Sequence, residues 1–178
     1  MSARNVYLDT SAIVKRYIEE KGSELVDDLY GRAEVGALRI SFSMWNVGEL
    51  IGALDQHLSR KVISEMQFRT STRDFVAETI KLFRLGYLNI RSPTAKIFAD
   101  AWYLVFSSHI YEADAIQIAT AKSLECDLFL SADAELIEVA KQTNLQAANV
   151  ETEAEKILDR LPRGIEPDHN TASASSRL

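Results

Sequence analysis

Four acidic residues stand out by position: Asp9, Glu49, Asp114 and Asp133. Asp9 directly follows a short apolar stretch, Asn5–Leu8, and precedes Thr10-Ser11-Ala12-Ile13-Val14, which reads as a helix start. Glu49 sits in Asn46-Val47-Gly48-Glu49-Leu50, about two turns into a pattern where Val47, Leu50, Ile51, Leu54 and Leu58 recur at helical spacing. Asp114 opens the segment Ala113–Leu124, apolar almost all round, with Gln117 its only polar companion on the same stripe. Asp133 follows Leu128-Phe129-Leu130 by a few residues and opens a further helix, Ala134–Lys141. Carboxylates gathered within a few ångströms repel one another and raise one another's pKa. A divalent cation relieves that repulsion, and all-oxygen ligation suits Mg²⁺ or Mn²⁺. Acids of this kind on an α/β sheet point to metal-assisted phosphoryl hydrolysis.

Each acid also has a plainer explanation. Aspartate is among the preferred N-cap residues, and acids in a first turn complement the helix dipole. Taken singly, Asp133 fits a cap better than a ligand. Asp9 is less easily reduced to a cap, because Thr10 or Ser11 offers one without it. Glu49 lies too deep in its helix to cap anything, and its plain alternative is solvent exposure. Asp114 needs more, since a lone carboxylate on a largely buried helix requires a partner or a metal.

Other chemistries find little support. His57, His109 and His169 are scattered, and the single Cys126 cannot build a zinc site. There is no Gly-x-Ser-x-Gly elbow, no Gly-x-x-x-x-Gly-Lys loop and no Gly-x-Gly-x-x-Gly.

The elements that must position these acids are short apolar strands alternating with helices. Asn5–Leu8, Leu38–Phe42, Asp127–Leu130 and Leu145–Val150 read as strands, with Tyr87–Arg91 a fifth. Phe68–Phe83, Thr94–Phe106 and Ala113–Leu124 read as helices. Such alternation predicts a three-layer α/β/α sandwich around a mainly parallel central sheet. In a parallel sheet all strand-to-helix junctions share the carboxyl edge, where open α/β sheets bind ligands. Acids distant in sequence are therefore expected to converge. Asp127 precedes its strand and is expected at the opposite edge.

The chain has 178 residues, of which 47% are hydrophobic and 26% charged, which suits one globular domain rather than a disordered one. A net charge of −6 argues against coating nucleic acid by bulk electrostatics, yet leaves room for an acidic site that touches nucleic acid locally. One cysteine excludes an internal disulfide and suits a reducing compartment. No apolar run spans a bilayer and the first residues lack the core of a signal peptide, so a cytoplasmic location is expected. Cys126 and the two tryptophans are expected in the core.

The ordered set Tyr7-Leu8-Asp9-Thr10-Ser11, Glu49, Asp114-Ala115-Ile116-Gln117-Ile118-Ala119-Thr120-Ala121 and Leu130-Ser131-Ala132-Asp133 resembles the PIN domain. It is most similar to the VapC-type toxin branch, the ribonucleases of type II toxin–antitoxin pairs. The resemblance implies that Asp9, Glu49, Asp114 and Asp133 are catalytic and hold Mg²⁺ or Mn²⁺, supported by Ser11 and Ser131. It implies hydrolysis of RNA phosphodiesters, a small antitoxin partner and a homodimer. It covers about residues 4–150, within a nuclease domain of residues 1–150. Residues 151–161 read as one more helix. The Ser-rich, apolar-poor stretch 162–178 reads as a flexible tail, with an ordered strap over a partner as the alternative. Lys15, Arg16, Arg60, Lys61, Arg69 and Arg73 are candidates for guiding RNA. The alternatives are a PIN nuclease of RNA processing without an antitoxin, and a non-catalytic RNA- or protein-binding module on the same fold.

Overall fold

The computed structural model describes residues 4–162. Strand β1 (Arg4–Leu8) leads to a short helix α1 (Thr10–Val14) and to α2 (Ser23–Glu34). Then come β2 (Leu38–Ser43), α3 (Met44–Ser59), α4 (Glu65–Leu85) and β3 (Leu88–Arg91). The chain continues through α5 (Ala95–Ser108), α6 (Glu112–Ser123), β4 (Leu128–Ser131), α7 (Ala134–Gln142), β5 (Ala147–Asn149) and α8 (Ala154–Arg160). All five strands expected from the sequence are present. The tail read from Pro162 onward lies, beyond Pro162 itself, outside the described residues.

The strands form one sheet in the order β3-β2-β1-β4-β5, and every neighbouring pair is parallel. Central β1 places Val6 beside Ile40 on one side and Leu128 on the other. Growth runs outward from β1 through β2 to β3, then restarts on the other side of β1 with β4 and β5. The carboxyl ends of β1 and β4 therefore flank the point where strand order reverses, the usual ligand crevice of an open parallel sheet.

Reversal also sends the crossover helices to opposite faces, because such crossovers are right-handed. Side chains of β1 alternate accordingly. Val6 and Leu8 join one core with residues of α2, α3, α4 and α8, whereas Tyr7 joins a second core with α5, α6 and α7. Three layers with two cores result, in agreement with the expected α/β/α sandwich.

Local sequence explains the helix ends that matter. Ser43 caps α3, accepting from Trp45 N at 3.1 Å, while Asn46 Oδ1 reaches back to Ser43 N at 2.8 Å. Helix α4 starts from the equivalent Ser64–Gln67 box and stops at Gly86 in the left-handed region. Helix α2 is an element the sequence reading did not include; it begins after Gly22, whose φ of 94° favours glycine.

Two packing expectations need correction. Trp45 and Trp102 are 43% and 53% exposed, so neither is a core residue, whereas Cys126 is buried as expected. On α3, Leu50 and Leu54 are buried but Ile51 is exposed, because the helix packs along a narrower stripe than the apolar pattern suggests.

Candidate active site

Asp9 leaves the end of β1, its backbone N–H donating to Leu130 O at 3.0 Å. Its carboxylate caps α1 after all: Oδ1 accepts from Ala12 N at 2.7 Å. Capping uses only part of the group. Ser11 Oγ donates to the carboxylate at 2.8 Å, and Ser131 Oγ reaches Oδ2 from the end of β4 at 2.6 Å. The two hydroxyls in turn accept from Ala132 N and Asp133 N, at 2.8 Å and 2.9 Å. Asp9 is thus a buried carboxylate with its rotamer locked from both sides of the strand reversal.

Asp133 also caps, its Oδ1 accepting from Glu135 N at 2.8 Å and Leu136 N at 3.1 Å. Its side chain is exposed, and Oδ2 takes part in neither bond. Cap and ligand are therefore compatible roles for Asp133 rather than rivals.

Asp114 reaches this edge by a route other than the expected one. It follows no strand; α6 follows α5 directly. The far end of α6 lies at the amino edge, where Leu124 O accepts from Asn5 Nδ2 at 3.0 Å. A helix of about 18 Å running back from there brings its first turn to the carboxyl edge. Asp114 is half-buried and has no hydrogen-bond or ion-pair partner among the described residues. Its carboxyl is raised from 3.8 to about 6, mainly by burial, then by the charges of Asp133, Glu49 and Glu135. Asp9 is raised to about 6 by burial, against the lowering effect of its three hydrogen-bond donors and with a further push from Asp114. Asp9 thus feels the charge of Asp114, and Asp114 feels those of Asp133 and Glu49, as carboxylates at one edge of the sheet would.

Glu49 is half-buried, not freely solvated. Its Oε2 accepts from Thr10 Oγ1 at 2.5 Å and from Gln117 Nε2 at 3.0 Å. Behind these stands Asn46, fully buried, which bonds to Tyr7, Thr10 and Gln117. Asp127 lies at the opposite edge, with Oδ2 accepting from Asn5 N at 2.7 Å. Glu112 accepts from Trp102 Nε1 at 3.1 Å, and Tyr111 is the N-cap of α6.

No Lys or Arg of the described residues pairs with Asp9, Glu49, Asp114 or Asp133. Nor, among the described residues, do any three His, Cys, Asp or Glu side chains stand together so that they could hold a metal ion as they are placed. The donors nevertheless fit a hard divalent ion: all are oxygens, they repel one another, and Asp114 has no protein partner.

The basic candidates do not gather here. Lys15 is 3% exposed and pairs with Glu20 and Glu151 at 2.9 Å and 2.6 Å. Arg16 pairs with Asp27 and Glu78, both at 2.7 Å. Arg60 and Lys61 follow the far end of α3, roughly 24 Å along the helix from its cap. Sequence reading missed Asn46 and Glu135, considered Thr10 only as an alternative cap, and noted Gln117 only as a polar neighbour. Asn46 and Gln117 each stand three residues from an acid on an otherwise apolar stretch, which is the signal that would find them.

An α/β/α sandwich with acids at its strand reversal defines the class, and the comparisons narrow it. The PIN domain family model matches residues 6–142, and the chain belongs to that family. No curated protein matches the chain. Among solved structures it is similar to FitAcB from Neisseria gonorrhoeae, with 18% identity, a TM-score of 0.56, and coverage of 82% of this chain and 97% of that one. VapC20 from Mycobacterium tuberculosis, a sarcin-ricin loop cleaving toxin, gives 17% identity, a TM-score of 0.53, and coverage of 74% and 92%. VapBC2 from Rickettsia felis, bound to a DNA fragment from its promoter, gives 18%, 0.54, and coverage of 82% and 98%. At these identities the likeness is one of fold. No helix among the described residues is long and apolar enough to cross a membrane.

Proposed function

We propose that this protein is a metal-dependent endoribonuclease that hydrolyses RNA phosphodiester bonds, and that it is the toxin of a cytoplasmic toxin–antitoxin pair. One observation carries the reading: Asp114, half-buried and without a protein partner, faces carboxylates that no described cation neutralises. Membership of the PIN family supports it, because PIN domains are generally nucleases that use divalent metals. The fold shared with a sarcin-ricin loop cleaving toxin supports RNA as the substrate.

Asp9, Glu49, Asp114 and Asp133 would hold Mg²⁺ or Mn²⁺. When bound, the ion supplies charge stabilisation at the phosphate and lowers the pKa of water. The chain's own residues do the positioning. Ser11 and Ser131 hold Asp9; Thr10 and Gln117 hold Glu49. Asp133 is fixed through one oxygen by the α7 cap. Asp114 keeps both oxygens available.

An antitoxin and a second copy of the chain are the partners proposed. Trp102, Tyr103, Phe106 and Tyr111 are exposed along α5 and the turn after it, an apolar surface suited to such contact. The experiment is Mn²⁺-dependent cleavage of RNA by the purified protein, with sedimentation for self-association and co-expression with any small reading frame found beside its gene. Absence of cleavage with Mn²⁺ or Mg²⁺ would refute the enzyme; cleavage without any antitoxin partner would leave a nuclease of RNA processing.

A further inference from the structure

Glu49 is held by a hydrogen-bond network whose polarity is set by two donors that cannot be reversed. The first is the backbone N–H of Ser43, which donates to Asn46 Oδ1 at 2.8 Å. That fixes the amide flip of Asn46, so its Nδ2 must donate, to Gln117 Oε1 at 2.8 Å and to Thr10 Oγ1 at 2.9 Å. The second is the backbone N–H of Thr10, which points at the same Gln117 Oε1 at 3.3 Å. Gln117 therefore has its oxygen turned to Asn46 and Thr10, and its amide nitrogen is left to donate to Glu49 Oε2 at 3.0 Å. Thr10 Oγ1 accepts from Asn46, so its proton goes to the same Glu49 oxygen, at 2.5 Å. Tyr7, buried and stacked on Phe129 at 5.3 Å between centroids, adds its hydroxyl to Asn46 Oδ1 at 2.9 Å.

Both donors end on one carboxylate oxygen. Oε1 of Glu49 receives no hydrogen bond from any described residue. No buried side-chain polar atom among the described residues is left without a partner, so the network is complete as it stands. Asn46 and Gln117 sit on α3 and α6, the two helices that carry Glu49 and Asp114, and they join those helices across Thr10, the first residue of the helix that Asp9 caps.

We propose that Asn46 and Gln117 are positioning residues that fix Glu49 by Oε2 and hold Oε1 free as its oxygen for the cation. This rests on the proposal above that the acids hold a divalent ion. Groups that orient metal ligands generally change metal affinity about 10–100-fold when removed. A merely structural role would lower thermal stability without coupling to Glu49.

The test is Mn²⁺ binding by titration calorimetry to the full chain, for wild type, Gln117→Met, Glu49→Gln and the double variant. Gln117→Met keeps length and helix propensity but removes the amide. It is expected to weaken Mn²⁺ binding about tenfold or more, and to add nothing further in the Glu49→Gln background. Wild-type affinity in Gln117→Met, or the same loss in both backgrounds, would overturn the positioning role alone. Failure of the wild type to bind Mn²⁺ would overturn the cation reading itself, and this role with it. Should Gln117→Met not fold, Thr10→Val set against Thr10→Ser asks the same question: the serine retains affinity and the valine loses it, and equal affinities would sink the proposal.

Discussion

Ser131 Oγ lies 2.6 Å from Asp9 Oδ2, so the last residue of β4 holds the residue that follows β1. The two are 122 positions apart and meet because β1 and β4 are neighbours at the reversal of strand order. One hydroxyl joins three tasks here. It donates to the buried carboxylate, it accepts from Asp133 N, and through that bond it orders the turn that presents Asp133.

Ser131→Ala should therefore act on both aspartates. Removing a hydrogen bond to a charged, buried group costs about 1–3 kcal/mol. The lost donor also takes away a lowering influence on Asp9, whose carboxyl should rise above its present value of about 6. Chemical denaturation at neutral pH should show the loss, and Mn²⁺ binding should weaken in parallel. Unchanged stability together with unchanged binding would mean the 2.6 Å contact contributes nothing.

A pH dependence follows from the same carboxyls. Asp9 and Asp114 are both raised from 3.8 to about 6 in the folded chain. The folded state thus binds their protons more tightly than the unfolded chain does. Their contribution to stability is complete below about pH 3.8, is lost as pH rises to about 6, and is constant above that. Cation binding needs the ionised forms. The rise in melting temperature on adding Mn²⁺ should therefore be small near pH 5 and grow as pH passes through 6. A shift that shrinks over that interval would contradict the assignment.

How legible the sequence was varies by element. The strands announce themselves as brief apolar runs, and the acids as interruptions at their ends. The order β3-β2-β1-β4-β5 is not written in any local pattern, and it is this order that brings Asp9 beside Ser131. The strand-to-helix rule does not account for Asp114, which follows a helix rather than a strand. Capping and ligation looked like competing accounts of Asp9 and Asp133. A carboxylate has two oxygens, and for Asp133 the cap uses one of them. Charge was the least legible feature. Lys15 and Arg16 look like solvated cations, yet both are committed to ion pairs with Glu151, Glu78 and Asp27 that only tertiary structure reveals.

Lys15 gives an asymmetric prediction. It is 3% exposed, whereas its partners Glu20 and Glu151 are 36% and 31% exposed. Lys15→Met leaves two glutamates that can reach water, and should cost no more than about 1 kcal/mol. Glu151→Ala leaves a buried ammonium with one partner fewer, and should cost more, about 1–3 kcal/mol. Urea unfolding of the two variants tests the order. The reverse order would show that the lysine is solvated on losing Glu151.

Asp114→Asn separates the chemical role of the acid from its structural one. The change keeps size and shape but removes the charge that a hard divalent ion needs. RNA cleavage with Mn²⁺ should be abolished, and Mn²⁺ affinity should fall. Stability without metal should not fall, because the carboxylate has no described partner to lose and its neighbours Asp133, Glu49 and Glu135 are relieved of a like charge. The size of the gain depends on pH. Below about 3.8 the wild-type carboxyl is protonated in folded and unfolded chains alike, so the variant should gain nothing; above about 6 the gain should be complete. Thermal melts of both proteins without metal, at pH 4 and at pH 7, measure that difference, and cleavage assays at pH 7 measure the chemistry. A variant that cleaves RNA as well as the wild type would remove Asp114 from the site. A variant that melts lower at pH 7 without metal would mean that its carboxylate has a stabilising partner.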